Sequence, residues 1–391
     1  MSDIPCGVKT SVQLSPLEVP GFVQYIGAFL TLSCNLNCSF CINEPEQKGD
    51  RKGYFANPNA RKRLSPQQWA AALSRISSSN ELPITLQGGE PTVYTHPQEK
   101  HAFFKIFQAI QRPQKFDLLT NLQFEPQEFI SQLGEKLSMF QRKAPYPSIR
   151  VSYHPIEMNK VYNGQGLEMI INKAHALRKL GLSIHSDKAK STLGVYMVAH
   201  PDNLPYEKSA RQSCYENDIP FELKEFLGPL PDNEYSGTYL YPFSTNYAGQ
   251  HIISSQCRTT EILIAPNGYI YRCHHDLYAS AQEALPLPKA DVLAFASWQE
   301  SRELKQMAYP PVAHILDPEL KIEHVFRPCS AYGKCIPCDT KVKNNRFQSL
   351  SDKGIAHTSV EIRDIHMPAE LLGKLPADRQ HLFNHLSHSK T

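Results

Sequence analysis

The chain has 391 residues, 41% hydrophobic and 20% charged, enough to bury a large core and to hold two or three domains. Its formal net charge of +3 gives no basis for binding nucleic acid by gross charge. The N-terminus lacks a basic stretch followed by an apolar core, and the longest apolar run, near residues 22–32, is too short to span a bilayer, so a reducing cytoplasm is the expected compartment.

Residues 27–33 read as a buried strand that runs into Cys34-Asn35-Leu36-Asn37-Cys38-Ser39-Phe40-Cys41, a C-x3-C-x2-C triplet. A basic loop with Lys48, Arg51, Lys52, Arg61, Lys62 and Arg63 follows, and reads as a solvated segment. Ser65-Pro66 opens a helix with Trp69, Leu73 and Ile76 on one face. Residues 82–87 are a strand ending in Gly88-Gly89-Glu90-Pro91. Phe103, Phe104, Phe107 and Ile110 mark the next helix, 116–121 a strand, 126–140 a helix and 148–154 a strand. A helix over 167–180 is closed by Gly181, which suits a left-handed cap. Strand 193–199, helix 206–217 and strand 221–227 complete six units.

Strands alternating with helices imply parallel pairing through right-handed crossovers, an α/β fold with functional groups at the C-terminal strand ends. The cysteine loop, the Gly-Gly turn, Asn121, His154 and His200 occupy such ends. Arg150, Ser152 and His154 share one face of the fourth strand, and Glu222 and Lys224 one face of the sixth. If those faces point inward, His154, His200 and Lys224 are the candidate catalytic groups; a salt-bridged outer face is the alternative for Glu222 and Lys224.

Three cysteines on one loop leave a corner of an iron–sulfur cubane without a thiolate, whereas a structural zinc loop brings its cysteines in pairs. The triplet with Phe40 before its last cysteine, and Gly-Gly-Glu-Pro beginning 47 residues after Cys41, resembles the radical S-adenosylmethionine (radical SAM) enzymes. The resemblance implies a partial (β/α)6 TIM-like barrel over residues 1–228. It also implies a [4Fe–4S] cluster on Cys34, Cys38 and Cys41 whose open iron chelates the methionine end of S-adenosylmethionine. Gly88, Gly89 and Glu90 would then contact the methionine amino group, with Phe40 beside the cluster. Ser152 and Asn121, polar residues near strand ends, either touch the cofactor or are satisfied by backbone. The implied chemistry is reductive cleavage to a 5′-deoxyadenosyl radical that abstracts hydrogen, with a flavodoxin or ferredoxin as electron donor.

Residues 229–345 begin within a Pro- and Tyr-rich linker, 228–250, and hold Cys257, Cys273, Cys329, Cys335 and Cys338, with a β-hairpin signal at Pro266-Asn267-Gly268. Eight of the ten cysteines thus fall in two clusters; Cys6 and Cys214 read as ordinary thiols. Cys257…Gly268…Cys273 resembles the opening of the twitch and SPASM extensions behind some radical SAM barrels. The closing half departs from the seven-cysteine SPASM pattern and favours one auxiliary [4Fe–4S] cluster. Cys257, Cys273, Cys335 and Cys338 are its best ligands and Cys329 the competing thiol; zinc on the same residues is the alternative. With four thiolates the cluster would transfer electrons; with three, its open iron could hold substrate. The tail, 346–391, is expected to carry a short helix near 377–386, with His381, His385 and His388 on a solvated face.

About 26 residues precede the first strand, few for a leader-peptide recognition domain, which leans the substrate toward a small sugar or alcohol. Modification of a ribosomal peptide or protein side chain is the alternative. A non-catalytic iron–sulfur or zinc protein that binds nucleic acid is the remote one, disfavoured by the near-neutral charge.

Overall fold

In a computed structural model, residues 14–23, 25–41, 63–78, 82–97, 99–142, 144–224, 255–259, 261–271, 273–274, 277, 311–323, 327–328 and 360–364 are described. The elements of the first part are β1 (Leu17–Val19), β2 (Tyr25–Thr31), α1 (Pro66–Arg75), β3 (Ile76–Ser78), β4 (Ile84–Gly88), α2 (Ala102–Ala109), β5 (Phe116–Thr120) and α3 (Pro126–Leu133). They continue with β6 (Ile149–Tyr153), α4 (Pro155–Val161), α5 (Gly166–Lys179), β7 (Leu193–Val198), α6 (Glu207–Glu216) and β8 (Phe221–Lys224). Then come β9 (Ser255–Thr259), β10 (Glu261–Ile264), β11 (Tyr269–Tyr271), β12 (Ala313–His314), β13 (Arg327–Pro328) and β14 (Val360–Asp364).

Strands β2, β4, β5, β6, β7 and β8 pair side by side, all parallel. Their two faces differ in chemistry. Ile84, Leu86, Phe116, Leu118, Ile149, Val151, Leu193, Val195 and Met197 are buried with Trp69, Leu73, Phe103, Phe107 and Leu177 from the helices. Register puts Thr85 beside Asp117, Leu119 beside Arg150, Ser152 beside Tyr196, and Tyr196 beside Glu222 on the other face. A sheet that is apolar toward its helices and polar opposite leaves the polar face for a ligand or for internal pairing. Part of it is paired: Asp117, fully buried, binds Arg142 at 2.6 Å and Arg150 at 3.3 Å near the N-terminal strand ends.

Two predicted boundaries shift. Ser65 caps α1 and forms a reciprocal box with Gln68, but the helix stops at Arg75. Ile76, expected on its apolar face, instead begins β3, which pairs parallel with β1. The helix expected over 126–140 breaks at Gly134, whose φ of 52° starts a 3-10 turn through Met139. Gly181 caps α5 in the left-handed region as expected, with φ 95°.

The hairpin forms as β10 and β11, turning at Gly268 with φ 87°. What the sequence did not reveal is its docking. β10 pairs parallel with β2, from Glu261 opposite Tyr25 to Ile264 opposite Ala28, so the sheet continues through β11 and β12 to nine strands. Leu64 N–H, just before α1, donates to the Pro266 carbonyl at 2.9 Å. Buried Arg75 ties the 311–323 segment down, donating to the Ile315 and Asp317 carbonyls at 2.7 and 2.6 Å and to that of Ser15 at 3.1 Å. A separate antiparallel sheet pairs β13, β9 and β14, with Cys257 opposite Arg327 and Ile362. The basic loop up to Lys62, the 377–386 helix, Cys6, Cys329, Cys335, Cys338 and the tail histidines lie outside the described residues.

Candidate functional site

Strand β2 ends at Thr31, and the chain turns at once into the cysteine loop. Its neighbour β4 ends in the Gly-Gly turn, and the two turns join backbone to backbone. Gly89 N–H donates to the Thr31 carbonyl at 2.9 Å and Glu90 N–H to the Ser33 carbonyl at 2.8 Å. This approach excludes side chains. A Cβ on Gly88, where φ is 125°, would stand 2.2 Å from the Thr31 oxygen. Arg63 braces the other side through a 3.2 Å bond to Ser33 Oγ.

Glu90 carries the junction to the third strand. Buried and capping the short turn after it, its carboxylate accepts from Thr92 N–H and Oγ1 at 3.1 and 2.6 Å, Thr120 Oγ1 at 2.8 Å and Asn121 N–H at 2.6 Å. Burial raises its pKa, and these four donors pull the other way. The side chain is thus committed to holding β4 against β5. Asn121 reaches on to the cysteine loop: its Nδ2 donates to Asn35 Oδ1 at 2.6 Å and lies 3.9 Å from Cys34 Sγ.

Cys38 is buried, while Cys34 and Cys41 are partly exposed. Burial pushes the Cys34 thiol up to about 11, and Leu36 N–H, 3.4 Å from its Sγ, opposes that. Burial raises Cys38 further, and the charges of Cys41 and Cys34 add to it. Thiols raised in this way lack a countercharge, which a bound metal centre supplies by deprotonating them outright. Among the described residues no three His, Cys, Asp or Glu side chains converge on a single ion. Ligands of a cubane need not converge, because each takes a different iron. The donor set fits a cluster.

Phe40 brings two of the candidate catalytic groups together. Its ring lies 5.3 Å from the His154 ring and stacks on His200 at 5.0 Å between centroids. His154, at the end of β6, has a buried Nδ1 with no hydrogen-bond partner, and burial pushes its pKa down to about 4. His200, after β7, accepts from Asp202 N–H at Nδ1, and burial lowers its pKa also. Proximity of residues 40, 154 and 200 left no signal in the sequence beyond their strand-end positions.

Ser152 shares the polar face with Arg150 as expected, and is partly buried. Lys224 lies 3.8 Å from Glu222 and over the Tyr196 ring at 5.2 Å, and Lys188 holds the other Glu222 oxygen at 2.6 Å. The ion pair is internal to the polar face, with all three charged groups only partly exposed.

Of the second cysteine cluster, Cys273 follows β11 and is partly buried, its carbonyl accepting from Leu277 N–H. Cys257 lies on β9. Beside Cys273, His274 sits 3.7 Å from buried Glu261 and packs edge-on against Phe29. Cys214 is a fully buried thiol on α6, as expected of an ordinary core cysteine.

No family model and no curated protein matches the sequence. Among solved structures, the chain is similar to "Native anSMEcpe with bound AdoMet", at 11% identity and a TM-score of 0.38 over 91% of this chain and 87% of that one. A histidine-tagged form of anSMEcpe with bound AdoMet shows 12% identity and a TM-score of 0.37 over the same shares. Native anSMEcpe with bound AdoMet and Cp18Cys peptide shows 11% and 0.37. The likeness is distant, and the site stands on its own residues.

Proposed function

We propose that the chain is a radical SAM enzyme, its six parallel strands forming the partial barrel. The observation that carries this reading is the joining of two distant motifs. The cysteine triplet and the Gly-Gly-Glu-Pro turn meet at the ends of adjacent strands, through Gly89 to Thr31 and Glu90 to Ser33. Cys34, Cys38 and Cys41 would hold a [4Fe–4S] cluster. When bound, it supplies one electron to S-adenosylmethionine, whose cleavage yields a 5′-deoxyadenosyl radical that abstracts hydrogen from substrate.

The chain's own residues bind and orient. The Gly88-Gly89 turn, held against the cysteine loop, would present carbonyl oxygens to a methionine amino group beside the cluster. Phe40 offers an apolar ring face beside the loop. His154, neutral because it is buried, offers an uncharged hydrogen-bonding nitrogen at the same end. Two substrate classes fit this polar face about equally: a sugar or alcohol, and a peptide or protein side chain. Cys257, Cys273, Cys335 and Cys338, with Cys329 competing, would hold the auxiliary cluster.

Iron analysis after anaerobic reconstitution tests the assignment. Two cubanes give about eight irons per chain, and the Cys34/Cys38/Cys41→Ala variant about four. Stoichiometric zinc with only one cluster would remove the auxiliary site from the proposal.

A further inference from the structure

Asn121, at the C-terminal end of β5, has its side-chain amide held at both ends, and those bonds fix which way it points. Its Oδ1 accepts from Gln123 N–H at 3.3 Å, so the NH2 group must face the cysteine loop. The NH2 group donates to Asn35 Oδ1 at 2.6 Å and has Cys34 Sγ as its second acceptor, 3.9 Å from Nδ2. Asn35 can accept because its own NH2 donates to Gln123 Oε1 at 2.7 Å. The backbone beneath is equally fixed: Asn121 N–H donates to the buried Glu90 carboxylate at 2.6 Å. The next residue, Leu122, is fully buried and held at φ 59°, a left-handed conformation that a leucine adopts only when its surroundings enforce it.

We propose that Asn121 is a positioning residue that sets the reduction potential of the cluster held by Cys34, Cys38 and Cys41; this rests on the functional reading above. A donor aimed at a ligating sulfur stabilises the reduced, more negative cluster more than the oxidised one, and so raises its potential. The effect is larger in a buried site, where water does not screen it, and Asn121 is buried. Leu36 N–H, 3.4 Å from the same sulfur, is a backbone donor that any side chain but proline leaves in place, so Asn121 is the adjustable one of the pair. The arrangement also links the two halves of the site. Glu90 of the Gly-Gly-Glu-Pro turn fixes the Asn121 backbone, and Asn121 fixes the donor at the cluster ligand.

The test is an EPR-monitored redox titration of the reconstituted full chain, following the [4Fe–4S] signal that changes when S-adenosylmethionine is added. That response separates the triplet's cluster from any other. Asn121→Asp keeps the shape and the Oδ1 acceptor but replaces the donor with an anionic oxygen; Asn121→Ala removes the side chain. Both should take up the cluster and reduce at a more negative potential than wild type, the aspartate variant most. Cluster-loaded variants with the wild-type potential would overturn the proposal. So would failure of both variants to take up the cluster, which would assign Asn121 to shaping the loop. A wild-type chain with no S-adenosylmethionine-responsive signal would instead overturn the functional reading, and this inference with it.

Discussion

Gly89 and Ser33 meet backbone to backbone: a Cβ on Gly89 would stand 2.1 Å from the Ser33 carbonyl oxygen and 2.6 Å from that of Leu32. The Ser33 carbonyl also accepts the Glu90 N–H, so the contact can relax only by pulling the cysteine loop away from β4. The glycine is a packing requirement of the site and not merely a turn residue.

Gly89→Ala is therefore expected to lower stability by about 1–3 kcal/mol, the usual range for an added methyl with no room, and to cost the chain its first cluster. Thermal unfolding of the apo-protein and iron content after reconstitution measure the two effects separately. An alanine variant with the wild-type melting temperature and full iron would show that the two turns are not held as described.

Much of the sheet was legible from sequence because buried parallel strands are short apolar runs set between helices. The starts of β5, β6, β7 and β8 fall within a residue of expectation. Ile76 was misplaced because its spacing from Trp69 and Leu73 fits a helix, and nothing local signals that β1 would capture it as a strand. The docking of β10 on β2 joins residues more than 200 positions apart, which no periodicity encodes. Within the site, the cysteines and glycines stand out in the sequence because their chemistry restricts the residue type, and the structure brings their two turns together. The roles of Glu90 and Asn121 were not, since a carboxylate or amide at a strand end fits a ligand and an internal bond equally well. Only the contacts to Thr92, Thr120, Asn35 and Cys34 show how they are used.

The docked hairpin should be sensitive to acid through His314. Its ring is buried under Gly268: Nδ1 accepts from Leu316 N–H at 3.2 Å, so Nε2 carries the hydrogen that reaches the Asn267 carbonyl at 3.0 Å. Only the neutral ring satisfies both, and burial pushes its pKa down to about 4. A histidine lowered on folding contributes stability that is present above its unfolded pKa, near 6.5, and lost as pH falls toward 4. The loss should be on the order of 3 kcal/mol. Glu90 and Asp117, both raised by burial, act in the opposite sense, so the comparison must be with His314→Gln across the same pH range. The variant should lose less stability between pH 7 and 4 than wild type, as read from denaturant unfolding of the apo-protein. Parallel profiles would mean that His314 does not anchor the hairpin as a neutral ring.

The most direct test of the central claim is the formation of 5′-deoxyadenosine from S-adenosylmethionine with dithionite as reductant, compared in wild type and Cys38→Ala. Cys38 is the buried member of the triplet, and the charges of Cys34 and Cys41 both bear on it. The account predicts slow formation by the reconstituted wild type even without substrate, and none by the variant. Equal 5′-deoxyadenosine from both proteins would contradict it.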